Sequence, residues 1–200
     1  MLTATYSLVS LSVEQASVRV SLLSFQKYMQ LQLRHQQQLS LVQLQFAGEW
    51  LSHFYQNGYW RKIDQYLIPA VRQAAPQADR LLAELNSLNL AALDSVNMVQ
   101  QRVLTSLGSA MQQPAALSAA IDSFCAALMA RLEKEERELF ALARQVIAGD
   151  AWFAIAHQLL AQDAQARENR RARAKVLPFV LPADDAPLAT LMPAPAKRQA

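Results

Sequence analysis

Apolar residues recur along most of this chain at steps of three and four, the period of a helix with one buried face. Leu39, Val42, Phe46, Trp50 and Phe54 form one stripe; Leu82, Leu85, Asn89, Ala92, Val96, Val99 and Val103 form another. A third runs through Ile121, Cys125, Leu128, Leu132, Glu135, Leu139, Leu142 and Val146. Upstream, Ser12-Val13-Glu14-Gln15 has the form of a capping box and predicts a helix starting at Ser12. Residues 3–11, a mixture of Thr, Ser, Val and Leu, read on their own as extended. No proline falls between there and Asn57, and a single helix of ~45 residues is too long for a compact domain. A turn is therefore expected near His35–Leu39.

The remaining boundaries are punctuated. Asn57-Gly58 interrupts the second helix, whose continuation from Tyr59 is expected to end near Pro69. Pro76 opens a third helix, and Gly108 and Pro114 bracket the next turn. Gly149 fits the left-handed residue that closes a helix, and Asp150 fits the cap of a short fifth one carrying Trp152, Phe153, Ile155, Leu159 and Leu160. Four main helices with short connections predict an all-α fold. Its expected form is an antiparallel four-helix bundle over residues 1–166 with a short appended helix. From Arg167 the chain changes character. A basic run (Arg167, Arg170, Arg171, Arg173, Lys175) leads into a tail holding five of the eight prolines. Residues 167–200 are thus read as a basic segment and a Pro/Ala-rich tail, extended or disordered from 176, with Phe179 and Leu181 clipped to the bundle.

Composition agrees with helices. The chain of 200 residues has only four glycines, which a β-rich fold would exceed on turns alone. The net charge of +3 belongs to the tail: residues 167–200 hold seven Lys/Arg and three Asp/Glu, leaving 12 basic and 13 acidic groups elsewhere. One cysteine, Cys125, excludes an internal disulfide framework and is read as a small core residue. With no basic region ahead of an apolar run at the N-terminus, and no uncharged apolar stretch of about 18 residues, neither a leader nor a membrane span is expected. The cytoplasm is the expected location.

Two polar residues break the stripes, Asn89 and Glu135. A carboxylate facing a helical core is costly unless it is paired, hydrogen-bonded, protonated or bound to metal. One reading has Glu135 tilting to the bundle end to pair with Arg131 or a lysine; the other keeps it as a functional carboxylate.

The segment from Phe124 to Ala143, with Arg131-Leu-Glu-Lys-Glu135-Glu-Arg-Glu-Leu-Phe-Ala-Leu-Ala, resembles the last core helix of hemerythrin-like (HHE) cation-binding proteins. That helix carries His-x-x-x-Glu-Glu followed by Leu-Phe-Pro-Leu-Ala. Gly149-Asp150-Ala-Trp152 resembles the family's exit from it. Tyr59-Trp-Arg-Lys-Ile63-Asp-Gln-Tyr-Leu-Ile-Pro-Ala70 is similar to the family's His-x-x-x-Glu followed by Tyr-Leu-Phe-Pro-Ala. The resemblance spans about residues 8–160. It implies a bundle whose interior holds two irons on several histidines and two carboxylates. Here the ligand positions are altered: Gln15, Tyr59, Asn89 and Arg131 stand at histidine positions, Ile63 at a glutamate, and only Glu135 is kept. Such a set implies no metal and no cofactor, with an Arg131–Glu135 ion pair in the metal's place.

Other chemistry is sparse. His35, His53 and His157 are far apart, without an i, i+4 His or Glu partner of a familiar metal pattern. No Gly-rich phosphate loop, nucleophile elbow or Cys/His cluster occurs, so no enzyme is expected. The basic run lacks interleaved aromatics and is read as a solvated helix end rather than a nucleic-acid contact. What remains is a non-enzymatic bundle acting through an unidentified protein partner, or a homodimer with Trp50, Trp60 or Trp152 either in the core or on the dimer face. Two other readings stay open. One is a metal- or oxygen-sensing protein with a rearranged site using Glu135, Glu136 or Glu138. The other rests on Ala47–Leu67 and Leu128–Ala143, which are also similar to parts of the Rsd/AlgQ anti-sigma regulators, helical bundles that bind the housekeeping sigma factor.

Overall fold

A computed structural model describes residues 2–35, 41–55, 58–106 and 114–176. Every regular element among them is helical. The chain opens with α1 (Leu2–His35) and α2 (Leu41–Tyr55). A rod follows, made of α3 (Gly58–Lys62), a π turn (Ile63–Leu67) and α4 (Ile68–Ala74). After a 3-10 turn (Pro76–Ala78) comes α5 (Asp79–Ser106). A second rod joins α6 (Pro114–Lys134), a π turn (Glu135–Leu139) and α7 (Phe140–Val146), and α8 (Gly149–Val176) ends the described chain.

The pairings give the packing. α6 lies against α5 and α1, α2 lies against α5, and α8 lies against α1 and α3. Gln15 reaches Leu132 while Gln26 and Gln30 reach Asp122, so α1 and α6 run antiparallel. Asn89–Arg131 and Glu84–Lys134 give α5 and α6 the same opposed sense. The core is one apolar cluster drawn from all these helices. An aromatic group joins α1, α2 and α6: Trp50 stacks on Phe25 at 3.8 Å and on Phe54 at 4.6 Å, and Phe54 meets Phe124 edge-on.

Several expectations are corrected. α1 starts at Leu2, and Ser12 is no cap: its hydroxyl donates to the Leu8 carbonyl one turn back, inside the helix. The α2 stripe is displaced, with Leu44, Ala47, Leu51 and Phe54 buried, Phe46 and Trp50 half-buried and Val42 exposed. Pro69 does not end its helix. It lies in the first turn of the segment that restarts after the π turn, where a missing N–H is tolerated. The break comes at Ala75, extended ahead of Pro76 (φ −145°, ψ 89°).

Gly149 is not left-handed either. Ile147 turns the chain in extended conformation, and Gly149 is already the first residue of α8. That helix is 28 residues long rather than short, and it carries the basic run as its last turns, crossing residue 166 without a break. The turn expected near His35–Leu39 falls, beyond His35 itself, outside the described residues, as do Gly108 and the tail from 177 with Phe179 and Leu181.

Ala115–Val146 is the one helix among the described residues long and apolar enough to cross a bilayer, with mean hydropathy 1.4. Half of that window is buried inside the fold, as in any core helix of this length.

Candidate functional site: a guanidinium-centred polar core

Both π turns open toward one place. In each, the amide five residues on donates to the first carbonyl: Ile68 to Ile63, Phe140 to Glu135. A π turn takes up an extra residue, and such bulges are frequent at functional sites. Asp64 and Glu135, at the start of these two turns, pair with the same guanidinium.

Arg131, on α6, is almost wholly buried. Its Nε donates to Glu135 Oε1 at 2.8 Å, its Nη2 donates to Asp64 Oδ1 at 2.6 Å, and its Nη1 donates to Asn89 Oδ1. The Trp60 ring lies 4.9 Å from the guanidinium carbon, a cation–π contact. Glu135 is completely buried, and its second oxygen accepts the Tyr59 hydroxyl at 2.6 Å. Gln15 completes the chain: its amide donates to the Tyr59 oxygen at 3.1 Å and to the Leu132 carbonyl at 2.8 Å. Ile63, fully buried, adds apolar bulk one turn beyond Tyr59.

All six positions singled out in the sequence are therefore placed, and five of them (Gln15, Tyr59, Asn89, Arg131, Glu135) form one hydrogen-bonded chain across α1, α3, α5 and α6. Glu135 pairs with Arg131, but inside the core rather than at its edge. Three participants had no signal in the stripes: Asp64, Trp60 and Lys62. The buried Lys62 ammonium lies beside the cluster, 2.5 Å from Glu14 Oε1 on α1 and paired with Asp163 on α8. A lysine one turn from Tyr59 on a rod expected to be core-facing was the available clue.

Electrostatics follow from burial. Desolvation pushes the Glu135 carboxyl above its ordinary range, and Arg131 and the Tyr59 hydroxyl pull it back. Burial disfavours the Arg131 cation, but Glu135 and Asp64 outweigh it and hold the guanidinium above its usual value. Tyr59 is held well above the phenol range by burial and by the Glu135 charge, so it stays a neutral donor.

The donor set does not fit the two-iron site that the resemblance implies. A guanidinium cannot ligate a cation, and it already takes the carboxylate oxygens of Glu135 and Asp64 that a metal would need. Glu136 and Glu138 are turned outward and paired with Arg19 and Lys134. Among the described residues no three His, Cys, Asp or Glu side chains gather closely enough to hold a metal ion. His53 and His157 are exposed on different helices, and the His35 side chain lies outside the described residues. Cys125 is buried, its thiol pushed up to about 12 by desolvation and by Asp122. Trp60 and Trp152 are core, and Trp50 is half-buried against it.

Comparison of the chain with protein-family models, with curated proteins and with solved structures found no match.

Proposed function

We propose that this chain is a hemerythrin-like four-helix bundle, with α8 laid against it, whose interior has exchanged a metal for an internal cation and which acts through protein contacts. It is a regulatory or scaffold module of the cytoplasm, not an enzyme. The observation that supports this reading is the position of Arg131. Its guanidinium lies between Glu135, Asp64 and Asn89 and takes the oxygens that would otherwise face a bound cation. Gln15, Tyr59, Glu135 and Arg131 are spent on one another, in a chain of hydrogen bonds that closes the centre of the core. In a bundle so closed, the surface is what remains to act.

The test is elemental analysis and an ultraviolet–visible spectrum of protein expressed in iron-supplemented medium. The expected result is a folded, helical protein with iron far below one equivalent and no charge-transfer band. Near-stoichiometric iron with such a band would overturn the reading and move the protein to oxygen or redox chemistry. Co-purification of a sigma factor with the metal-free protein would keep the contact-making reading and replace hemerythrin-like ancestry with the anti-sigma class.

A further inference from the structure

α1 carries two apolar stripes rather than one. The inner stripe is Ala4, Leu8, Leu11, Gln15, Val18, Leu22, Phe25 and Met29, all buried. The outer stripe is Leu2, Tyr6, Val9, Val13, Ala16, Val20 and Leu23, offset from the inner one by two positions, about 200° around the helix. Every residue of the outer stripe is exposed, its large members between 50% and 89%. A helix that is apolar on both sides has something to bury on both.

We propose that this outer face of α1 is a helix-pairing seam that joins two copies of this chain. Three observations select that occupant. The steps along the stripe alternate four and three without exception until exposed Lys27 ends the series. That is a spacing of 3.5 residues, which keeps a seam facing one neighbouring helix over several turns; a straight helix on a flat or lipid surface has no need of it.

The residues flanking the seam are Thr3, Thr5, Ser10, Ser12, Ser17, Arg19, Ser24 and Gln26. Only Arg19 is charged, and it is already paired with Glu136 of its own chain at 2.8 Å. Identical faces therefore meet without like-charge repulsion, and no charge pattern selects a different partner.

Leu2 and Leu23 lie at the two ends of the stripe and Val13 at its centre. In an antiparallel two-fold pairing centred on the stripe, residue i meets j and j meets i, which sets Val13 close to its own copy. Its six large side chains stay at least half exposed in one continuous row, a bare face of the size class, roughly several hundred Å², that marks interaction sites.

The proposal deepens the reading of a contact-making bundle, and the two fail separately: iron content reads the interior, dimer mass reads the α1 surface. The experiment is sedimentation equilibrium of the full chain over a range of concentrations, with Val13→Glu beside it. Wild type is expected to be a dimer, and V13E a monomer of unchanged far-ultraviolet helicity, because a buried charge would face its own copy. As a second measurement, Val13→Cys in a Cys125→Ala background is expected to give an interchain disulfide on mild oxidation, whereas Gln145→Cys on α7 is not. Three results would overturn the proposal. One is a wild-type monomer throughout, whether or not it floats with phosphatidylcholine vesicles. Another is a dimer unaffected by V13E. The last is cross-linking at residue 145 but not at 13.

Discussion

The Tyr59 hydroxyl donates to Glu135 at 2.6 Å across two helical rods, and both side chains are sealed from solvent. Among the described residues, a carboxylate in that position is held by two donors, this hydroxyl and the Arg131 Nε–H. Removing either leaves a buried oxygen short of a partner, which costs more than the bond itself contributes. Tyr59→Phe is therefore expected to lower unfolding free energy by about 1–3 kcal/mol. Urea denaturation at pH 7 measures it, and a loss within a few tenths of wild type would show that Glu135 finds another donor.

Arg131 and Glu135 make a stronger test. Taking away one member of a buried pair strands a charge and costs about 3–5 kcal/mol, whereas replacing both by apolar groups is often close to neutral. Arg131→Met is expected to destabilise by that amount. The double variant Arg131→Met/Glu135→Leu is expected to be more stable than R131M alone, although Asp64 and Asn89 lose their donor in both. Chemical denaturation of wild type, R131M, E135L and the double variant gives the coupling. Additive losses would show that the pair is not the centre of the cluster.

The alkaline limb of stability follows from Cys125. Burial and Asp122 push its thiol from the ordinary 9.0 to about 12 in the folded chain. Above pH 9 the unfolded chain gives up this proton while the folded chain keeps it, so the unfolded state is favoured as pH rises. The stability is whole below pH 9 and falls by about 1.4 kcal/mol per pH unit until the folded pKa is reached. Tyr59, also held above its ordinary value, adds to the loss above pH 10. Cys125→Ala is expected to be flat in this respect between pH 9 and 10, where wild type declines. Parallel slopes for the two proteins would remove Cys125 as the cause.

Periodicity made the helices legible, because a stripe at three and four is hard to mistake over twenty residues. It also located Glu135 and Asn89, since polar residues on such a stripe must be answered in the core. It was blind to features that break its own premise. The π turn at Glu135–Leu139 takes up an extra residue, so the buried face passes to Phe140, Ala143 and Ile147, leaving Leu142 and Val146 half-buried. The π turn at Ile63–Leu67 likewise brings Asp64, which no stripe contains, to Arg131. In α1 two opposed apolar faces blur any single period, and the capping-box letters at Ser12 fell inside a helix that had started ten residues earlier. No stripe contains Lys62 either; its place one turn past Tyr59 is the sole hint in the sequence, because its burial depends on carboxylates from α1 and α8.

Gly149 tests the corrected boundary between α7 and α8. A glycine closing a helix in left-handed conformation would lose stability on gaining a side chain. Gly149 instead has no left-handed φ, and a methyl group there would meet nothing within 4 Å. Gly149→Ala is expected to raise stability by about 0.4–1 kcal/mol, chiefly by restricting the unfolded chain. A rise in thermal midpoint checks it; a fall would restore the left-handed reading of this turn.

The hold on α8 changes along its length. Its buried apolar residues, Trp152, Ile155 and Leu159, all lie in its first half. Beyond Leu159, Asp163 is paired with the buried Lys62, which also binds Glu14 of α1. One ammonium thus joins three helices. Lys62→Met keeps the stem that packs and removes the charge that ties. Amide exchange is expected to quicken over residues 160–168 in K62M while residues 150–159 and α6 keep their protection. Asp163→Asn should reproduce the change, since it cuts the same link from the other side. Loss of protection along the whole of α8 in K62M would mean that the ammonium holds the entire helix, and no change at all would mean that apolar packing alone positions it.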